Sequence, residues 1–258
     1  MQTILLPFLF LAGLSVGSFL NVCIYRLPRG RSVARPPSAC PACGAPVRRR
    51  HNVPVLGWLV LRGRCRDCGA PISVRYPLIE LAGGFLFLWI ALSFPQDWTL
   101  LFPLYYGCVL LVVVFTDLDL QLIPDSLTLP AIPIGFLYHG WIEGAWVDAA
   151  LGFLVGGGSL WLIGEVYLRA RGREGMGGGD VKLAAMMGAF LGWQSILLVL
   201  FLSSFAGGLF GIALIAFARK GGGAKIPFGV FLAPVGFLAL LYGNAWIDWY
   251  LRFAGLSG

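Results

Sequence analysis

The sequence is poor in charge and in histidine. Charged residues make up 12% of the 258 positions, whereas 58% are hydrophobic. Soluble domains carry roughly 25% charged residues. A soluble core of this size could not bury so much apolar surface. The composition therefore argues against a soluble enzyme and for a chain that crosses a membrane.

Working motifs of two hydrolase classes are also missing. The sequence contains no HExxH zinc motif, and its GxSxG match at 13–17 lies inside an apolar run and not at the strand-to-helix turn of a nucleophile elbow. Its two histidines are His51, in an arginine-rich loop, and His139, on the side predicted to be outside. A zinc protease or a serine protease would therefore lack necessary groups. No Rossmann-type glycine fingerprint is present either.

Long apolar runs are what the sequence does have, separated by polar or glycine- and proline-rich breaks. They predict an all-α integral membrane protein with about eight transmembrane helices. The first run lacks the basic start and the clear cleavage site of a signal peptide, so we expect it to be retained. The predicted spans are 3–25, 77–95, 99–117, 126–141, 147–168, 181–193, 196–218 and 226–243.

The basic residues predict an orientation. Eighteen of the nineteen Lys and Arg residues fall in the loops 26–76, 169–180 and 219–225 or at Lys182. The positive-inside rule then places those loops, and with them the loop 118–125, in the cytoplasm and the amino terminus outside. Eleven of these residues lie in the 26–76 loop alone. Anionic lipid explains such a basic loop better than nucleic acid, so the predicted partner is the bilayer.

Four of the six cysteines form two CxxC pairs, each followed by glycine. A two-residue spacing lets one tight turn present both thiolates to one ion, and four thiolates favour tetrahedral zinc. Disulfides are the alternative, but the cytoplasm is reducing. We therefore predict a structural zinc site in the loop between the first two spans. The predicted ligands are Cys40, Cys43, Cys65 and Cys68.

Aspartates flank the apolar runs on the predicted cytoplasmic side. Asp117 ends one run, and Asp180 follows the glycines Gly177, Gly178 and Gly179. A carboxylate at the mouth of an apolar segment indicates a functional site. The glycines would let an extended substrate backbone approach closely. The structural alternative for Asp180 is the N-cap of the next helix.

Two further aspartates, Asp119 and Asp125, lie between the third and fourth spans. Asp119 is either a solvated loop charge or a binding group, and Asp125 is either an N-cap or a binding group. Two neighbouring carboxylates at a low-dielectric boundary do not both ionise cheaply. That pairing suits peptide hydrolysis, in which one carboxylate activates water and the other protonates the carbonyl.

The segment Gly175–Leu183 resembles the GxGD motif of intramembrane aspartyl proteases. Together with the CxxC pairs, the chain is similar along nearly its whole length to the bacterial type IV prepilin peptidases. Val230 departs from the proline that the family pattern has after Pro-Phe-Gly. The other stretches that carry the resemblance are 17–28, 72–77, 117–125 and 226–229.

The resemblance implies a bifunctional inner-membrane enzyme with Asp117 and Asp180 as its catalytic pair. Such an enzyme cleaves the basic leader of type IV prepilins and type II secretion pseudopilins after a glycine. It then N-methylates the new terminal residue, usually Phe, with S-adenosylmethionine. Because the leader is basic, we predict that Asp119 and Asp125 help to bind it.

The methyltransferase part is assigned to residues 1–95 and the peptidase part to 96–258. Arg26, Arg75 and Glu80 are the candidate residues for methyl transfer and cofactor binding. For Glu80, an ion pair with a nearby arginine is the structural alternative. Two other functions stay open: a transporter that uses the aspartates as proton or cation ligands, and a zinc-loop scaffold that recruits soluble partners.

Overall fold

A computed structural model of the chain describes residues 2–172, 175–218 and 227–255. Within these residues the regular structure is helical, apart from two isolated bridges, Ala39–Pro46 and Arg64–Pro71. The prediction of an all-α fold is confirmed. The chain divides into two compact units, Met1–Val112 and Val113–Gly258.

The first unit contains two long helices that pack closely through glycine. Its helices are α1 (Gln2–Arg26), α2 (Leu56–Val60), α3 (Arg75–Ser93) and the first half of α4 (Leu101–Leu120). A Cβ added at Gly13 would lie 2.6 Å from the carbonyl oxygen of Gly83, and one added at Gly83 would lie 2.6 Å from that of Gly13. Such small-residue contacts hold helices together in a bilayer, where the apolar surroundings provide no hydrophobic force between them.

The second unit is built around a broken helix. Its helices are the end of α4, α5 (Asp125–Gly135), a π-helical turn (Phe136–Ile142), α6 (Trp146–Arg171), α7 (Gly178–Ala218) and α8 (Gly229–Phe253). Helix α7 breaks at Gly192, whose φ is 77° and ψ is 174°. Helix α6 lies against its first segment so closely that a Cβ on Gly152 or Gly188 would overlap the other's backbone.

Within the described residues, six helices are long and apolar enough to cross a membrane, which supports a multi-pass membrane protein. The fifth of them, Gly178–Leu214, has 37 residues. At 1.5 Å per residue it would measure about 55 Å, well above a hydrocarbon thickness of about 30 Å. The break at Gly192 lies where the predicted spans 181–193 and 196–218 adjoin. The total of eight spans stays a prediction.

Some boundaries differ from those expected. Helix α4 continues to Leu120, three residues beyond the predicted end at Asp117, so Asp119 lies on a helix and not in a loop. Helix α5 begins at Asp125 with Pro124 as its N-cap, so the N-cap role expected for Asp125 is wrong. Helix α8 extends to Phe253, ten residues beyond the predicted span. The predicted basic loop 219–225 lies outside the described residues.

Candidate active site

Asp117 lies on the last turns of α4 and is buried, with 5% of its surface exposed. Its neighbour Thr116 is also buried and donates its hydroxyl to the carbonyl of Val113. The Oδ2 atom of Asp117 accepts a hydrogen bond from the backbone N–H of Val230, with 3.2 Å between the two atoms. A buried carboxylate of this kind is costly unless its surroundings stabilise it.

Asp180 lies in the first turn of α7 and is half-buried. Because the helix begins at Gly178, Asp180 is not its N-cap. The preceding glycines serve different purposes. A Cβ at Gly179 would lie 3.0 Å from the Cβ of Ile123, so this glycine permits close packing, whereas Gly178 faces open space.

The two aspartates line one cavity of about 230 Å³. Its wall comes from the end of α4, the turn into α5 and the start of α7. Three acidic side chains and a run of exposed backbone thus face a space large enough for several water molecules. The lining residues are Asp117, Gln121, Leu122, Ile123, Asp125, Gly177, Gly178, Gly179 and Asp180.

The two aspartates predicted to bind a leader occupy different environments. Asp119 is exposed and is not among the residues that line the cavity. Asp125 lines the cavity, and both of its oxygens accept hydrogen bonds from Nζ of Lys182, at 2.8 and 2.7 Å. The charge of Asp125 is therefore already compensated by a lysine of the same chain.

The four loop cysteines come together in the first unit. Their Sγ atoms all lie within 4.8 Å of one another, and Sγ of Cys40 is 3.8 Å from that of Cys68. All six cysteines of the chain are free. A tetrahedral site with metal–sulfur bonds of 2.3 Å has a sulfur–sulfur separation of about 3.8 Å. The group can therefore hold a metal ion, as the spacing predicted.

The two cysteine turns share one backbone design. The N–H of each first cysteine, Cys40 and Cys65, donates to the carbonyl of the alanine five residues later, and each following glycine has a positive φ. The backbone N–H groups of Cys43 and Ala42 lower the pKa of Cys40 to about 7. The Ala70 amide lowers the pKa of Cys68, but the neighbouring thiols and desolvation outweigh it and raise that pKa to about 12. A bound cation would relieve the repulsion that keeps such thiols protonated.

Two of the three residues predicted to bind the cofactor, Arg26 and Glu80, contact the loop backbone. Arg26 donates to the carbonyls of Ser32 and Pro36 at 3.0 and 2.7 Å. Glu80, buried on α3, accepts from the N–H of Val55 at 2.7 Å. Val55 has a φ of 62°, which is unusual for a β-branched residue. Arg75 is half-buried at the start of α3. These contacts hold the loop in place, and the role of the three residues in methyl transfer stays a prediction.

A second polar cluster escaped the sequence analysis. The ring of His139 lies between two carboxylates, with Nδ1 2.6 Å from Oε2 of Glu143 and Nε2 2.6 Å from Oδ2 of Asp148. The Oδ1 atom of Asp148 accepts from the N–H of Trp193, directly after the break at Gly192. His139 and Glu143 are four residues apart, a spacing that is compatible with contact on a helix. No sequence pattern predicts that Asp148 contacts His139 or that α7 contacts Asp148.

These features define the class of the protein. It is a multi-pass membrane protein with an aspartate-lined cavity and a cysteine group that could hold a metal ion. Comparison with protein families then assigns the chain more narrowly. Residues 11–94 match the bacterial peptidase A24 N-terminal domain, and residues 104–212 match the type IV leader peptidase family. The chain belongs to this family and is an enzyme of the peptidase class.

Several curated relatives match over almost the whole chain. The prepilin leader peptidase/N-methyltransferase of Aeromonas hydrophila is 41% identical, over 94% of this chain and 92% of the relative. The protein of the same name from Pseudomonas aeruginosa is 38% identical, over 96% and 93%. That from Neisseria gonorrhoeae is 36% identical, over 95% and 94%. No solved structure gives a significant match.

Three divisions of the chain can now be compared. The family matches leave a gap between residues 94 and 104. The two compact units divide later, between Val112 and Val113, inside α4. The functional division predicted at residue 95 concerns which half performs which reaction, and it stays a prediction.

Proposed function

We propose that this chain is a membrane-embedded aspartyl endopeptidase that cleaves the basic leader of type IV prepilins and pseudopilins after a glycine. We propose further that it N-methylates the new amino terminus with S-adenosylmethionine. The observation that carries the proposal is the placement of Asp117 and Asp180 on one cavity, in a chain whose relatives are named prepilin leader peptidase/N-methyltransferase.

Peptide hydrolysis by such a pair needs a water molecule between two carboxyl groups of opposite protonation state. The ionised carboxylate takes a proton from the water, and the protonated one polarises the scissile carbonyl. Like charges in so small a cavity favour a state in which the pair shares one proton. The burial of Asp117 and the partial burial of Asp180 support this arrangement, since low polarity penalises two negative charges.

The exposed backbone beside Asp180 suits an extended substrate. Gly177 and Gly178 are exposed, and Gly178 has nothing within 4 Å of the place where a Cβ would lie. A substrate strand can therefore approach Gly178 without meeting side chains, and at Gly177 it would lie beside the carboxylate of Asp180. Gly179 contributes differently, by letting the loop pack against Ile123. We propose that Gly177, Gly178 and Gly179 together form the binding surface for the residues around the cleaved bond.

The leader's basic side chains would meet Asp119 and Asp125. Asp125 is exposed and forms an ion pair with Lys182, so a leader residue must compete for it. Exchange of one cation for another on an exposed carboxylate costs little, because exposed ion pairs contribute only about 0.2–1 kcal/mol. Asp119, exposed at the end of α4, is the second proposed contact.

The metal of the four-cysteine group is proposed to be structural zinc. Its ligands would be Cys40, Cys43, Cys65 and Cys68, and four thiolates leave no open coordination position for chemistry. Metal analysis of the purified protein tests this. We expect about one zinc per chain, loss of that zinc in Cys40→Ser, and full retention in Cys108→Ser, which changes a cysteine on α4. A chain that binds no zinc, or keeps it in Cys40→Ser, would refute the assignment.

For methyl transfer the candidates are Arg26, Arg75 and Glu80. S-adenosylmethionine would supply the methyl group, and acidic and basic side chains of this kind could bind its charged groups. Arg26 and Glu80 contact the loop backbone, so a ligand would have to replace those contacts. Support for this activity comes from the names of the relatives.

The proposed location is the bacterial inner membrane, with the amino terminus outside and the aspartates facing the cytoplasm. The distribution of Lys and Arg supports this orientation. Cysteine substitutions at exposed positions, labelled from one side of intact cells with an impermeant reagent, test it. Labelling of a cysteine placed at Ser126 from outside the cell would contradict the orientation.

The decisive experiment uses the purified full chain in lipid with a type IV prepilin and isotopically labelled S-adenosylmethionine. The product's amino terminus is then sequenced and its label counted. We expect cleavage after the leader glycine and label on the new first residue. Cleavage without label would remove the methyltransferase half. An intact prepilin, with enzyme shown to be folded, would refute the peptidase.

A further inference from the structure

The start of α8 touches one catalytic candidate. Helix α8 begins at Gly229, and the N–H of its second residue, Val230, donates to Oδ2 of Asp117 at 3.2 Å. The first N–H groups of a helix have no acceptor within it, and they point along the helix axis toward whatever lies before it. Here a buried carboxylate occupies that place.

Gly229 makes this approach possible. A Cβ at this position would lie 2.8 Å from Oδ2 of Asp117 and 3.2 Å from Cδ1 of Ile123. Any side chain would therefore push α8 away from the carboxylate. The glycine and the following N–H together place the positive end of α8 against Asp117, where it favours a negative charge.

The second aspartate has a different neighbour. Asp180 lies in the first turn of α7, beside Gly177, where an added Cβ would be 3.6 Å from Oδ2. It is less buried than Asp117. Asp117 differs from it further because the N–H of a residue on another helix, α8, donates to its carboxylate.

We propose that the backbone N–H of Val230 stabilises ionised Asp117 and so makes Asp117 the general base, with Asp180 as the general acid. This inference rests on the proposed peptidase function and assigns roles within it. Val230 acts through Asp117 and is a positioning residue. A proline at this position would have no N–H to donate.

With these roles, every proton transferred in the reaction has a donor and an acceptor. Asp117 takes a proton from water while the water oxygen bonds to the scissile carbonyl carbon and Asp180 gives its proton to the carbonyl oxygen. On collapse of the tetrahedral intermediate the C–N bond breaks, and the leaving nitrogen receives the proton held by Asp117. The hydroxyl returns its proton to Asp180, so both groups regain their starting states.

The test compares Val230→Pro, which lacks the N–H, with Val230→Ala, which keeps it. Proline is tolerated in the first turn of a helix because the N–H there has no intrahelical acceptor. The measurement is kcat/KM for prepilin cleavage as a function of pH. Loss of the donor destabilises ionised Asp117, so a larger fraction of Asp117 is protonated at a given pH.

In Val230→Pro we expect the acid limb of the profile to shift to higher pH by about one unit. This is the shift expected for the loss of one hydrogen bond to a charged group. On that limb the rate falls about tenfold, and at higher pH it approaches that of Val230→Ala. Superimposable profiles of the two variants would overturn the inference.

Proline also restricts Gly229 before it, so a second variant avoids that effect. Replacing Val230 with the α-hydroxy acid analogue of valine turns the amide into an ester and keeps the side chain. The same shift of the acid limb to higher pH is expected, and its absence would refute the role of the N–H. If the unmodified enzyme cleaves prepilin and Asp117→Asn does not, a failure here leaves the proposed function intact. If the unmodified enzyme does not cleave, the proposed function itself fails.

Discussion

The second unit contains two groups of converging carboxylates, one near each end of the first segment of α7. Asp117 and Asp180 line a cavity at its start. Glu143 and Asp148 converge near its end at Gly192. Gly192 lies twelve residues after Asp180, which corresponds to about 18 Å along a helix. At the end of the segment the imidazole of His139 lies between the two carboxylates, 2.6 Å from each.

The contrast shows how one type of side chain serves two purposes. With a histidine between them, two carboxylates form a closed polar contact that ties the π-helical turn to α6 and to the break in α7. At the other end the lysine of the first turn, Lys182, pairs with Asp125 and not with Asp180. The catalytic candidates are thus left facing a cavity, where a water molecule and a peptide can enter between them.

The largest effect that tests this comparison is expected from Asp117→Asn and Asp180→Asn. Each removes a group that transfers a proton, so cleavage should fall by a factor of about 10² to 10⁴ while prepilin still binds. Initial rates and binding to the labelled prepilin are measured separately. Asp148→Asn in the other cluster is the matched control and should keep most of the rate. Full cleavage by either catalytic variant would refute the assignment.

The next largest effect is expected at the helix break. Gly192→Ala places a Cβ where it overlaps the carboxylate of Asp148, on a backbone with a φ of 77°. We expect the free energy of unfolding to fall by about 2–4 kcal/mol. Denaturant unfolding in detergent measures it. Gly208→Ala, on the same helix and facing open space, should be neutral or slightly stabilising. Equal stability of the two variants would contradict the described break.

His139→Leu should have a smaller effect on stability and little effect on catalysis. It leaves Glu143 and Asp148 without the ring that separates them, and the loss is expected to be about 1–3 kcal/mol because both carboxylates are partly exposed. Thermal unfolding checks this, with His51→Leu as the control. If His139→Leu folds but no longer cleaves prepilin, the cluster around His139 takes part in catalysis, which would contradict its assignment as a structural contact.

The smallest effect is expected for the ion pair beside the cavity. Lys182→Met frees Asp125 for a basic leader, so KM for prepilin should fall about two- to fivefold at low salt. Asp125→Asn should raise KM by a similar factor. In the double variant the effect of Lys182→Met should disappear. If KM is unchanged in all three, Asp125 does not contact the leader.

Helices were well predicted because spanning length and apolar composition are local properties of the sequence. The predicted spans 77–95 and 147–168 correspond closely to α3 and α6. The boundaries near Asp117 were less accurate. Helix α4 continues to Leu120 through charged residues, because a helix that ends at an interface can carry polar side chains beyond its apolar part.

The metal-binding group was predictable for the same reason as the helices. Each CxxC turn is a local unit, and the two turns repeat the same pattern of backbone hydrogen bonds. The matching pattern extends to one bridge beside each turn, at Ala39–Pro46 and Arg64–Pro71.

The sequence alone identified three features: the glycine-rich stretch ending in Asp180, the acidic stretch beginning at Asp117, and the four cysteines. Each of them depends on residues that are close together in the chain. Tertiary structure alone decided which groups meet. It placed Lys182 on Asp125, His139 between Glu143 and Asp148, and the N–H of Val230 on Asp117. These partners are separated by up to 113 residues, and the packing of α4, α7 and α8 determines their contact. No local pattern encodes the direction in which the first N–H groups of one helix point relative to a carboxylate on another.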